Sequence, residues 1–97
     1  MDFSEARDHV MRIFARARDD AATKLGQSLN WHYEPIDFRQ LGSTGLARFV
    51  VDQHNAAMLV YEIIETMRAA ELPDGLTFEL DQEPGPKPAV LVHFKFE

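Results

Sequence analysis

The chain has 97 residues, 45% of them hydrophobic and 27% charged, with no cysteine and a net charge of −6. This globular composition supports one cooperative domain over residues 1–97, and the missing thiols exclude a disulfide scaffold, thiolate zinc and cysteine catalysis. No apolar run approaches the roughly 20 residues of a membrane span, and the N-terminus is charged from Asp2 onward, unlike a secretory leader, so a cytoplasmic protein is expected.

From Phe3 to Leu29, apolar residues fall at Phe3, Ala6, Val10, Ile13, Phe14, Ala17, Ala21, Leu25 and Leu29. Steps of three and four draw one helical stripe, which predicts a helix over 3–27 unless Gly26 ends it early. Asp2 and Glu5 have capping-box spacing, and Asp8 with Arg12 forms a favourable i,i+4 pair. Pro35 confines any strand after Trp31 to an edge or to Ile36 onward. Residues 36–51 then read as a hairpin turning at Gly42-Ser43-Thr44-Gly45, with Ala47, Phe49 and Val51 on one face.

Asp52 or Asn55 can cap a second helix over 54–71, apolar almost all round from Ala56 to Ile64 and stopped by Leu72-Pro73-Asp74-Gly75. Leu76, Phe78 and Leu80 alternate with Thr77, Glu79 and Asp81, and Val90, Val92, Phe94 and Phe96 alternate with Leu91, His93 and Lys95. This period of two predicts a second hairpin over 76–81 and 89–96. The order αββαββ predicts an α+β two-layer sandwich, with two helices on one face of a four-stranded antiparallel sheet. It is also the order of a permuted ferredoxin-like arrangement, in which the apolar last strand lies inside the sheet beside a strand of the first hairpin. Phe14, Phe49, Leu59, Ile63, Phe78, Val92 and Phe94 are the expected core.

Residues 71–97 hold six acids and two bases, so the tail carries most of the net charge. Clustered arginines occur only on the first helix, where Arg7, Arg12, Arg16 and Arg18 interleave with Asp8, Asp19 and Asp20 as on a salt-bridged solvent face. Direct nucleic-acid binding is therefore disfavoured.

His9, His32, His54 and His93 lie 23, 22 and 39 positions apart, without the i,i+3 or i,i+4 spacing that builds a metal site on one helix. Glu62 and Glu65 lack the histidine that would complete a bundle metal site, and with Arg68 they read as a solvated strip. The Gly42-Ser43-Thr44-Gly45 stretch superficially matches a GxxG nucleic-acid clamp, but strands flank it rather than helices; nor is it a nucleophile elbow. No catalytic residue, cofactor or metal is expected.

Trp31-His32-Tyr33 is the one dense aromatic cluster, either a plug sealing the sandwich or an interface hot spot. On the second helix Ala56, Leu59, Val60, Ile63 and Met67 form the stripe a sheet can cover. Met58, Tyr61 and Ile64 lie off that stripe and Met11 lies off its own, so they need the other helix or another chain.

The leading expectation is a non-enzymatic protein-interaction module of inhibitor, immunity, secretion-chaperone or phage accessory type. Met58, Tyr61, Ile64, Met11, Trp31 and Tyr33 form its candidate surface, with a homodimer through the helical layer as one outcome. The alternative is a small-ligand-binding domain or enzyme with a pocket between helices and sheet, using His32, Tyr33 or His93. A third reading is an acidic nucleic-acid mimic.

Overall fold

The computed structural model describes residues 1–27 and 35–97. Its elements are α1 (Phe3–Lys24), β1 (Pro35–Leu41), β2 (Thr44–Val50), α2 (Ala56–Arg68), β3 (Leu76–Glu83) and β4 (Ala89–Phe96). The four strands form one antiparallel sheet in the order β1-β2-β4-β3, under two helices. The apolar last strand lies inside the sheet, between β2 and β3. Moving β4 ahead of α1 would turn αββαββ into the βαββαβ order of ferredoxin-like domains. The Met1 amino group donates to the Glu97 carbonyl, and the Glu97 N–H donates to the Gly75 carbonyl. No helix among the described residues is long and apolar enough to cross a membrane.

Local chemistry sets the helix limits. The Asp2 carboxylate accepts the Glu5 N–H at 2.8 Å, satisfying a donor of the first turn of α1. At the other end Gly26 adopts φ +66°, while Gln27 N–H reaches the Ala22 carbonyl and Gly26 N–H the Thr23 carbonyl. These paired bonds form a Schellman stop, so the helix ends at Lys24 rather than residue 27. Asp8 pairs with Arg7 at 3.6 Å rather than with Arg12, whose guanidinium lies 3.1 Å from His9 Nδ1. Helix α2 is shorter than the expected 54–71, and Asn55 stands at its N-cap position with left-handed backbone and no side-chain capping bond.

The turn between β1 and β2 needs only Gly42 and Ser43, because Leu41 already pairs with Thr44. Gly42 supplies φ +64° at the first central position, as a type II′ hairpin turn requires. Gly45, expected in the turn, is instead a strand residue opposite Phe94.

The core lies between the layers. Phe14 of α1 stacks on Phe49 of β2 with ring centroids 4.0 Å apart, and Leu59, Val60, Ile63 and Met67 of α2 are fully buried. Phe38, Phe94 and Phe96 gather under Phe3 at one end of the sheet. Phe78 departs from expectation: it faces inward but is only half-buried, because β3 is an edge strand and the helices do not fully overhang it.

On the opposite sheet face Arg48 donates twice to the Glu83 carboxylate, both bonds at 2.7 Å. These bonds hold the Glu83 carboxyl below the usual carboxylate range. A lowered folded-state value stabilises the fold above the unfolded-state value and loses that contribution as pH falls through the folded one. Glu83→Gln should therefore be less stable than the parent at neutral pH, and the gap should close as the carboxylate protonates. Denaturant midpoints from pH 7 down into the acid range would check this; a gap that widens on acidification would contradict it.

Candidate functional site

Helix α2 is apolar on more sides than one sheet can cover, and packing determines what remains outside. Met58 and Tyr61 stay 57% and 58% exposed, whereas Ile64 is only 5% exposed. Ile64 therefore offers little contact area of its own and only borders a depression that Leu80 also borders. Met11 is also corrected in part: it is half-buried against the core and borders a depression with Arg7, Asp8, Arg12 and Phe38, beside β1. Since β1 and β3 are opposite edges of the sheet, Met11 and Tyr61 do not share one surface. Trp31, His32 and Tyr33 lie outside the described residues.

Tyr61 overlooks a groove between α2 and β3. One depression of about 270 Å³ is bordered by Tyr61, Ile64, Glu65, Arg68, Leu80 and Gln82, and a second of about 450 Å³ by Met67, Arg68, Leu72, Phe78 and Leu80. Arg68 and Leu80 border both, and Arg68 is held by Glu65 at 2.7 Å. The depressions therefore follow one another along β3, about one two-residue step apart, or roughly 7 Å.

The edge beside this groove has open backbone groups. Phe96 N–H donates to Ser43 and Glu97 N–H to Gly75, which fixes the alternation of the ladder. Odd-numbered residues of β3 bond to β4, so the N–H and C=O groups of Phe78, Leu80 and Gln82 point outward. No strand among the described residues pairs with that edge. Asp81 partly satisfies it, its carboxylate accepting the Gln82 N–H at 2.8 Å. Thr77, Glu79 and Asp81 are exposed on the face away from the helices.

The sheet face away from the helices has its own depression of about 640 Å³, bordered by Leu41, Thr44, Leu46, Thr77, Glu79, His93 and Lys95. Glu79 and His93 are register partners in it. The alternation of β4 places His93 here, so it does not serve a pocket between helices and sheet. That interlayer space is filled by the core, with no buried polar or charged residue among those described. Glu62, mostly covered, pairs with Lys24 and the exposed Glu65 with Arg68, and no group of metal-ligating side chains occurs among the described residues.

No known family, curated protein or solved structure matches this chain.

Proposed function

We propose that this chain is a non-enzymatic, cytoplasmic protein-interaction module of the small inhibitor, immunity, secretion-chaperone or phage accessory type, its partner docking on the flank formed by α2 and β3. The observation that carries this reading is Tyr61, more than half exposed on an apolar helix, at the rim of a groove beside an unpaired strand edge. Exposed aromatic anchors beside depressions are the usual hot spots of protein interfaces. Met58 and Tyr61 cannot by themselves fill the roughly 800 Å² per partner of a standard interface, so the groove and strand edge belong to the same contact.

This favours a different protein over a homodimer through the helical layer. The burial of Ile64 and the partial burial of Met11 remove much of the surplus that a helix-to-helix dimer would cover. Sedimentation equilibrium at micromolar concentration should accordingly give one 11.1 kDa species. A dimer mass that Tyr61→Glu restores to the monomer would assign the flank to a second copy instead. With the partner in hand, Tyr61→Glu should weaken binding by about 2 kcal/mol or more, as for a central anchor. It should shift stability by no more than about 0.5 kcal/mol, because the side chain is exposed.

The juxtaposed Glu79 and His93 support the second reading, a small-ligand site on the sheet face away from the helices. Ligand-induced shifts at His93 with none at Tyr61 would favour it. Of the acids on the second hairpin, the acidic-mimic reading keeps Glu79 and Asp81, since Arg48 already engages Glu83.

A further inference from the structure

The geometry points to strand addition. We propose that β3 accepts an extended segment of the partner as a fifth strand, with apolar residues at alternate positions and lysine or arginine between them. This deepens the protein-interaction reading and rests on it.

The outward backbone groups belong to Phe78, Leu80 and Gln82, whose side chains point to the helix side and border the groove. In a β-ladder, residues directly opposite one another send their side chains to the same face. Incoming residues that bond to Phe78, Leu80 and Gln82 would therefore direct their own side chains into the groove under α2. There they would meet the half-buried Phe78 and Leu80 and the exposed Tyr61, beside the Glu65–Arg68 ion pair.

The intervening residues would lie opposite Thr77, Glu79 and Asp81 on the other face. Two exposed carboxylates on alternate positions repel acidic strands and attract basic ones, by the cross-strand pairing of opposite charges. Charges on an edge strand are also how proteins keep such edges from pairing indiscriminately. Here the charge has a sign, so the device that blocks an acidic or neutral strand selects a basic one. The occupant is thus a basic, alternating segment, the strand-addition mode in which backbone bonds give affinity and alternate pockets give specificity.

The test uses a blocked synthetic peptide of alternating lysine and valine, eight residues long like β3. At saturation it should slow amide hydrogen exchange at Phe78 and Leu80 at least about tenfold, since these donors pass from solvent into a ladder. A peptide of the same composition with lysines and valines in separate blocks should not. Joint Glu79→Lys and Asp81→Lys substitution should weaken the alternating peptide about tenfold or more and favour a glutamate–valine counterpart. An unchanged thermal transition would show that this doubly substituted chain still folds. Absence of protection at Phe78 and Leu80, or equal binding of the block peptide, would overturn strand addition. Loss of partner binding in Tyr61→Glu alongside that result would show that the interaction reading survives without it.

Discussion

Phe94→Ala should destabilise the protein by about 3–5 kcal/mol. The ring is 1% exposed on β4, an interior strand that cannot shift toward solvent to close a cavity. It stacks against Phe3 at 6.0 Å between centroids and meets the edge of Phe38 at 5.8 Å. Across the ladder its neighbour on β2 is Gly45, which has no side chain with which to fill the space. With about 5–15 kcal/mol holding a domain together, that loss would leave little margin. Equilibrium urea unfolding should show a much lower midpoint with an unchanged slope; an unchanged midpoint would mean that Phe94 does not carry the core.

Gly45→Ala is the complementary test of the same contact. A Cβ built at Gly45 would lie 2.3 Å from Phe94 Cζ and within 2.8 Å of both Cε atoms, closer than non-bonded carbons approach. The Gly45 backbone needs no left-handed angle, so the penalty is steric rather than conformational. The ring has little room to yield, hemmed in by Phe3 and Phe38, and overpacking of this kind costs about 1–3 kcal/mol. Because the clash needs the ring, Gly45→Ala should cost much less in a Phe94→Leu background than in the parent. Equal costs in both backgrounds would place the source elsewhere.

Gly45 also shows where sequence reasoning stops. As the last glycine of Gly42-Ser43-Thr44-Gly45 it reads as turn chemistry, because composition marks a turn without saying which two residues close it. The ladder closes at Thr44, making Gly45 the flat position over which a buried ring lies. Other features were legible because one physical rule governs each. The apolar density of Ala89 to Phe96 fits the interior place that β4 takes, and the switch from a helical to a strand period separates α2 from β3.

The candidate site was only half legible. That Met58, Tyr61 and Ile64 leave the main stripe of α2 follows from helical geometry. Which of them the fold covers depends on packing between the layers, which buries Ile64 and leaves Met58 and Tyr61 outside. Phe78 is only half-buried for a related reason: alternation assigns a face, and an edge strand is covered less than its face implies. The groove joins residues from α2 and β3 through topology alone, so no spacing along the chain announces it.

Site-specific photocrosslinking distinguishes a partner on the α2–β3 flank from one on the opposite sheet face. A photoreactive residue is placed at Tyr61 on the α2–β3 flank, and in a separate protein at His93 on the sheet face away from the helices, each in the full chain within its native cell. Position 61 should give one discrete protein adduct and position 93 none. An adduct from position 93 with none from position 61 would contradict docking on the flank.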